Sequence, residues 1–175
     1  MPWTETEIVS DRLTLRPFVD ADKPAMVAMR TSEQVYRYLG GPADSDFAQE
    51  LAGATVGEQW GVFGIIDSMS GATLGSVHLG RERGVLEVSY ELLPSAWGKG
   101  IAAEAVSALL AWAAIEFGDT VVVAVTQTAN ARSVALLDRL GFELVRTFEE
   151  FDAEQGWFQR DMEPTPGQAE HLAEA

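Results

Sequence analysis

The sequence contains no cysteine, and this absence excludes disulfide bonds, thiolate metal sites and a cysteine nucleophile. Histidine is scarce as well, because His78 and His171 are the two imidazoles of the chain. A histidine-rich metal site and a Ser-His-Asp hydrolase are therefore disfavoured, and we expect no bound metal. Basic residues are also few, since 12 Lys and Arg stand against 27 Asp and Glu and leave a net charge of −15. Nucleic-acid binding needs a basic face, so we expect no nucleic-acid partner.

Long apolar runs are missing too. No stretch approaches the roughly 18 residues of a membrane span, and residues 1–5 have neither the basic start nor the apolar segment of a signal peptide. We therefore expect a cytoplasmic protein without a membrane partner. The length of 175 residues, with 47% apolar and 22% charged residues, suits one compact domain with a substantial core.

Between Leu92 and Ala105 the sequence passes from a strand-like run through glycines into a helix. Gly98 and Gly100 let a ligand approach the backbone, and small residues after them keep the first helical turn thin. The unpaired N–H groups and the positive dipole end of a helix start favour an anion. The backbone amides of residues 98–103 are therefore candidates for binding a phosphate group.

The spacing in this segment excludes two common phosphate motifs. A nucleotide P-loop needs a second glycine followed by Lys and Ser or Thr, which Gly98-Lys99-Gly100 does not provide. A dinucleotide fingerprint needs a further glycine at position 103, where the chain has alanine. A glycine-rich turn that serves packing alone remains the alternative at this point.

The pattern of apolar residues predicts an alternating α and β chain. We expect an edge strand over 12–18, because Pro17 cannot donate to a ladder, followed by helices over 22–30, 32–38 and 44–58. Three strands over 61–67, 74–79 and 85–93 have short connections, which predict an antiparallel meander. A buried helix over 99–117 then leads by a right-handed crossover to a parallel strand over 121–125. Last come a helix over 131–140, a strand over 142–150 and a loop over 148–157.

The runs Tyr90–Pro94 and Trp97–Ala105 resemble motif A of the GNAT superfamily of acyl-CoA N-acyltransferases. They are most similar to the Rim-type subgroup, which is related to the ribosomal-protein alanine N-acetyltransferases. Two further blocks, residues 11–18 and 130–142, agree with the family in order and spacing. The resemblance implies a single acetyltransferase domain over residues 9–162, with a polar C-terminal tail over 163–175.

The resemblance implies an α+β, three-layer GNAT fold, with a central mixed, mostly antiparallel sheet that splays between strands 85–93 and 120–126 and is flanked by helices. It also implies acetyl-CoA as co-substrate, with the pantetheine arm along the strand that ends at Leu93. The implied cofactor-binding residues are Leu92, Leu93, Gly98, Lys99, Gly100, Ile101, Ala102, Ala103 and Asn130. Lys99 equally suits a solvated lysine, and Asn130 equally suits the N-cap of the helix that follows it.

The implied chemistry needs a base for the amine and a donor for the departing thiol. Glu91 lies closest to the expected thioester and is the first candidate base, with Glu150, His78 and a water chain as alternatives. Many family members carry a tyrosine acid where this chain has Leu137. Ser133, one helical turn earlier, matches the serine of the Rim-type subgroup, so the resemblance assigns the thiol-orienting role to Ser133. A structural helix serine is the competing interpretation.

These features together predict an N-acetyltransferase in which an amine attacks acetyl-CoA directly within a ternary complex. The acceptor is a small-molecule or peptide amine, and the sequence does not choose between a protein N-terminus, a polyamine, an aminoglycoside-like antibiotic and a small amino compound. A non-catalytic acyl-CoA sensor and a partner-binding acidic domain are the alternatives. The net charge of −15 suits a cationic acceptor, although acidic surfaces also serve solubility alone. A homodimer is one option for the assembly.

Overall fold

The computed structural model describes residues 3–81 and 83–162 of the chain. The described residues fall into two compact units. The first unit holds residues up to His78 together with Ser89–Ala105, and the second holds Leu79–Val88 together with residues from Val106 onward. His171 and the predicted tail over 163–175 lie outside the described residues.

Strands and helices alternate along the described residues, with three short 3₁₀ turns at Trp3–Glu5, Asp20–Asp22 and Pro94–Ala96. The strands are β1 (Ile8–Val9), β2 (Leu13–Arg16), β3 (Val62–Asp67), β4 (Thr73–Gly80), β5 (Leu86–Leu92), β6 (Val121–Gln127), β7 (Glu143–Glu150) and β8 (Ala153–Asp161). The α-helices are α1 (Lys23–Arg30), α2 (Glu33–Tyr36), α3 (Phe47–Gly53), α4 (Ile101–Phe117) and α5 (Ala131–Arg139). The pairing is mixed and mostly antiparallel, which confirms the predicted fold class.

The first unit contains strands in the order β1-β2-β3-β4-β5, which confirms the predicted meander of the last three. Leu13 and Leu15 alternate with polar residues on β2, and both are fully buried. The prediction that residues 12–18 form an edge strand is wrong, because β1 pairs outside β2 with Ile8 opposite Leu15. The alternation of leucines sets the register of β2, but Pro17 lies just beyond the strand and so removes no ladder bond.

A buried carboxylate holds the start of α1 against β2 and β4. The side chain of Asp22 is 3% exposed, and its oxygens accept hydrogen bonds from Arg16 Nη1 (2.8 Å), Arg16 Nη2 (3.2 Å), Val19 N (2.8 Å) and Thr73 Oγ1 (2.6 Å). Burial raises the pKa of Asp22, but these hydrogen bonds and the charge of Arg16 outweigh it and hold the pKa below its ordinary value. Asp22 therefore stays ionised in the folded protein.

The second unit contains the beginning of β5, residues 86–88, and the strand order continues from β5 to β6, β8 and β7. Strands β5 and β6 are parallel, as predicted, with Leu86 opposite Val122 and Glu87 opposite Val123. Strands β7 and β8 form an antiparallel hairpin whose turn residues Phe151 and Asp152 have φ angles of 54° and 56°. The predicted loop over 148–157 is therefore wrong. The turn lacks the Asn-Gly or Asp-Gly pair that normally marks two positive φ angles, so no local signal in the sequence indicated the hairpin.

Helix α4 is buried over most of its length, with Ala105, Val106 and Leu109 fully enclosed. The prediction that it is buried nearly all round is wrong at its C-terminal end, where Ile115 is 55% and Phe117 37% exposed. Gly118, with a φ of 65°, follows the helix as predicted. Among the described residues, no helix combines the length and the apolar character that a membrane crossing requires.

Helices α1 and α5 lie close to the predicted ranges 22–30 and 131–140, whereas α2 and α3 are shorter than predicted. Ser32 caps α2 by accepting a hydrogen bond from Val35 N at 3.3 Å, but this helix ends at Tyr36 instead of residue 38. Helix α3 covers Phe47–Gly53, half of the predicted 44–58 segment. Neither helix ends directly on a left-handed glycine, because Arg37 follows α2 in a helical conformation and Ala54 follows α3 in an extended one.

We expect Asp22→Asn to lower the free energy of unfolding by about 3 kcal/mol at neutral pH, because the variant leaves the Arg16 guanidinium partly buried without its counter-charge. The pKa of Asp22 is lower in the folded than in the unfolded chain. Its contribution is therefore complete above the ordinary carboxyl pKa and is lost as the pH falls through the folded pKa. Denaturant titrations across pH measure this contribution. The difference between parent and variant should start to shrink near the ordinary carboxyl pKa and should disappear only below the folded pKa of Asp22, which lies lower.

The matched control is Asp20→Asn, which removes a surface pair with Lys23 whose Asp20 side chain is 84% exposed. We expect this control to change the free energy of unfolding by less than about 1 kcal/mol. Equal losses in both variants would contradict the special role of Asp22, and so would a loss for Asp22→Asn that does not change with pH.

Candidate active site

The end of β5 presents a carboxylate that side chains of β4 and α2 hold in place. Glu91 is half-buried, and its Oε1 accepts a hydrogen bond from Ser76 Oγ at 3.2 Å. Ser76 Oγ in turn lies 3.0 Å from His78 Nε2. Ser76 and His78 are two residues apart on β4 and so lie on the same face of that strand. Two of the predicted candidate bases, Glu91 and His78, are thus linked through one buried hydroxyl.

Tyr36 of α2 is the second partner of Glu91. Burial raises the pKa of Tyr36 strongly, and the negative charge of Glu91 and the hydrogen bond between the two side chains raise it further. The Arg30 guanidinium, 4.3 Å from the centre of the Tyr36 ring, acts in the opposite direction and does not reverse the shift. Tyr36 is therefore a neutral O–H donor that fixes the Glu91 carboxylate. Sequence reasoning missed Tyr36, since nothing in its local pattern links α2 to β5.

Gly75 brings the backbones of β4 and β5 unusually close beside this cluster. A Cβ on residue 75 would lie 2.3 Å from Glu91 O and 2.9 Å from Leu92 Cα, so a side chain cannot be accommodated. Leu93 N donates to Leu74 O at 2.9 Å, which directs this amide toward β4. Because successive residues of a strand point to opposite edges, Leu92 N–H is directed to the other edge of β5. Leu92 O accepts from Trp97 Nε1 at 3.0 Å.

The start of α4 has the open geometry that an anion site requires. Gly98 and Gly100 have φ angles of 71° and 76°, which favour glycine, and a Cβ on Gly98 would meet no atom within 4 Å. Glu104 N donates to Gly100 O at 3.1 Å. The N–H groups of residues 101–103 precede this bond and have no intrahelical acceptor. Residues 98–100, which lead into this helix start, are exposed, and Ala102 and Ala103 are half-buried.

Arg12 joins this helix start and was not among the predicted site residues. Its Nε donates to Glu104 Oε2 at 2.7 Å and its Nη1 to Lys99 O at 3.1 Å, while Nη2 lies 3.5 Å from where a Cβ on Gly100 would stand. Burial raises the pKa of Glu104, but hydrogen bonds from Ser10 and Arg12 outweigh it and hold the pKa below its usual value. Glu104 therefore stays charged and holds the guanidinium at the helix start.

Asn130 and Ser133 lie in the second unit, at the start of α5. Asn130 Oδ1 accepts a hydrogen bond from Ser133 N at 3.3 Å, which confirms the predicted N-cap. Gly141 follows α5 with a φ of 78°, and Phe142 N donates to Leu137 O at 3.0 Å, as expected for the predicted helix end. Leu137 is 1% exposed and so belongs to the core. Ser133 is half-buried.

Glu150, the remaining candidate base, belongs to an ion-pair cluster of the second unit. Arg83 Nη2 donates to Glu150 Oε2 at 2.9 Å, and Arg83 Nη1 donates to both carboxylate oxygens of Glu87 at 3.0 and 2.9 Å. One guanidinium thus pairs with two carboxylates, which explains the position of Glu150 without a catalytic role. Across the described residues, no group of three or more His, Cys, Asp and Glu side chains lies together in a way that could hold a metal ion.

Comparison with known proteins agrees with this geometry. The model of the Acetyltransferase (GNAT) domain matches residues 12–143. The chain is 27% identical over 143 residues to the uncharacterized N-acetyltransferase YoaA of Bacillus subtilis (strain 168), and the match covers 77% of this chain and 81% of that protein.

Two solved structures show the same fold. A GNAT-family acetyltransferase from Bacillus anthracis has a TM-score of 0.79 at 19% identity, with 90% of this chain and 99% of that chain covered. A spermidine N-acetyltransferase from Vibrio cholerae, solved in complex with CoA and spermine, has a TM-score of 0.71 at 17% identity, with 89% and 98% covered.

Proposed function

Because the chain belongs to the GNAT family of N-acetyltransferases, we propose that it moves the acetyl group of acetyl-CoA to a primary amine, with Glu91 as the general base. The observation that carries the proposal is the Glu91 carboxylate, which Ser76 and Tyr36 hold at the end of β5. An amine with a pKa of about 8 to 10 must lose a proton before it attacks, and a fixed carboxylate accepts that proton. The amine nitrogen then bonds to the thioester carbon and the C–S bond breaks, while the second proton lost by this nitrogen ends on the departing thiolate to give the free thiol.

The residues at the start of α4 fit the pyrophosphate of acetyl-CoA. The proposed ligands are the backbone amides of Gly98, Lys99, Gly100, Ile101, Ala102 and Ala103. Their surface is clear of side chains at Gly98, and the Arg12 guanidinium adds a fixed positive charge beside them. Lys99 contributes its backbone, because its carbonyl already accepts from Arg12.

Two residues of the first unit are proposed for the pantetheine arm, and Asn130 of the second unit is proposed separately as a cofactor-binding residue. Leu92 N–H is the donor on the edge of β5 that faces away from β4, so it suits a pantetheine carbonyl. Leu93 directs its N–H to Leu74 O and contributes through packing instead. Asn130 uses Oδ1 as the helix cap, which leaves its amide NH₂ group as the donor for the ligand.

The acceptor in this proposal is a cationic primary amine, either a small molecule or a peptide N-terminus. The net charge of −15 attracts such a molecule and raises its encounter rate. Spermidine is the substrate in the name of the Vibrio cholerae neighbour, and a peptide N-terminus is the acceptor that a Rim-type relationship implies. Both are suitable first probes. Ser133 supports the Rim-type relationship, and we propose it as the donor that orients the thiol.

Glu91→Gln tests the function directly. With acetyl-CoA and either spermidine or an alanine-starting hexapeptide, we expect the parent to release free thiol and the variant to do so at least about 100-fold more slowly, because the base is lost. Titration calorimetry with acetyl-CoA should give equal affinity for both proteins. Binding of acetyl-CoA by the parent without turnover of any amine would favour the acyl-CoA sensor. Equal rates in parent and variant would make Glu91 a spectator.

Gly100→Glu tests the phosphate site. A carboxylate at this position repels the pyrophosphate and pairs with the Arg12 guanidinium, which is then less available to the ligand. We therefore expect calorimetry to show a loss of affinity for acetyl-CoA of well over about tenfold. The matched control is Gly84→Glu, which has the same charge change at a φ of 77° with no atom near the new Cβ. This control reports backbone strain alone and should bind acetyl-CoA like the parent. Equal losses in the two variants would contradict the assignment.

Ser133→Ala tests the thiol donor. A donor to the departing sulfur acts mainly as the C–S bond breaks, so we expect kcat to fall by about tenfold while the affinity for acetyl-CoA stays unchanged. Stopped-flow and steady-state rates, together with calorimetry, separate these quantities. The control Ser133→Thr keeps the hydroxyl and should retain most of the activity. A parallel loss of kcat and affinity in Ser133→Ala would indicate a structural serine instead.

A further inference from the structure

Glu91, Ser76 and His78 form a chain of hydrogen-bonding side chains, and this chain does more than hold the Glu91 carboxylate in place. We propose that Ser76 and His78 form a proton exit from Glu91, in which the proton taken from the amine passes through the Ser76 hydroxyl to the His78 imidazole. This inference rests on the proposed function of Glu91. The contacts that carry it are 3.2 Å between Ser76 Oγ and Glu91 Oε1, and 3.0 Å between Ser76 Oγ and His78 Nε2.

A base must lose its proton before the next turnover, and the side chains around Glu91 provide one relay for that proton. Tyr36 is a neutral phenol that already donates to Glu91, so it cannot remove a proton from the carboxyl group. Ser76 is 1% exposed, which keeps bulk water from its hydroxyl. His78 is half-buried and so connects this buried hydroxyl with the solvent side. Of the side chains shown around Ser76, the imidazole is the one whose unprotonated ring nitrogen can accept a proton from a hydroxyl.

Each proton and bond in this exit can be accounted for. The ammonium N–H bond of the acceptor breaks and an O–H bond forms on Glu91. Once Glu91 is protonated, its O–H donates to Ser76 Oγ, and the Ser76 hydroxyl turns from Glu91 to donate to His78 Nε2, with the ring proton of His78 on Nδ1. The Glu91 proton then moves to Ser76 Oγ while the Ser76 proton moves to His78 Nε2. Glu91 is again a carboxylate, Ser76 again a hydroxyl, and His78 an imidazolium. The imidazolium finally gives one proton to solvent and returns to the neutral ring.

Strand geometry explains why these groups line up. Ser76 and His78 occupy alternate positions of β4 and therefore share one face, while Gly75 lets β5 approach closely enough for Glu91 to reach Ser76. Ser76 is thus a positioning and relay residue, and His78 is the terminal proton acceptor. Neither residue needs to touch the acceptor amine.

Rescue of His78→Ala by added imidazoles tests the exit. We expect kcat with spermidine or the alanine-starting hexapeptide to fall by about 100-fold in this variant, while KM and the affinity for acetyl-CoA stay near those of the parent. Imidazole and its methylated derivatives should restore kcat in proportion to concentration, and the rescue should follow the basicity of the added imidazole. Ser76→Ala should lose kcat to a similar extent without any rescue, because it lacks the connecting hydroxyl.

Two controls keep the outcomes separate. His78→Gln retains hydrogen-bonding groups next to Ser76 but cannot accept a proton, so its kcat should fall as in His78→Ala. Parent-like kcat in His78→Gln, or rescue that follows the size of the added imidazole instead of its basicity, would show a structural role and overturn the exit. If the parent itself turns over neither probe, the proposed function fails along with the exit. If the parent is active and His78→Ala equals it, the exit alone is wrong.

Discussion

The close approach of β4 and β5 at Gly75 is the constraint on which the site in the first unit depends. With no side chain at residue 75, the Glu91 carbonyl and Leu92 Cα occupy space that any Cβ would need. The same approach brings Ser76 to Glu91 and lets Leu74 accept from Leu93. The end of β5, and hence the turn that leads into α4, is positioned by this backbone contact. A single methyl group at residue 75 would displace the carboxylate and the strand end together.

Two carboxylates tie the N-terminal segment into the same unit. Asp22 accepts hydrogen bonds from the side chains of Arg16 and Thr73, and Glu104 accepts hydrogen bonds from the side chains of Ser10 and Arg12. In both places hydrogen bonds outweigh the cost of burial and keep the carboxylate ionised. Because such charge-assisted bonds have strict geometry, they set the direction of β2 and the place of the Arg12 guanidinium as well as adding stability.

Local patterns predicted the parts of the structure that local physics decides. The leucines of β2, the Ser32 and Asn130 caps, the glycine stops after α4 and α5, and the glycines before α4 were all visible in the sequence. Contacts between segments that are distant in the sequence were not predicted. The sequence contains Tyr36, Ser76 and Arg12, but nothing near them shows that they meet Glu91 or the start of α4. The β7–β8 hairpin was missed because an uncommon pair of residues, Phe151 and Asp152, adopts positive φ angles.

Under the proposed function, Arg12 lets one acidic protein attract two substrates of opposite charge. The chain carries a net charge of −15, which would repel an anionic ligand if the ligand sensed only the whole molecule. At physiological salt a charge is felt over about 8 Å, so a phosphate near α4 responds to the guanidinium and the helix end instead. The proposed cationic acceptor responds instead to the excess of carboxylates on the chain. The two proposed attractions act in different places, so the attraction of one substrate does not depend on that of the other. Rising ionic strength weakens both attractions.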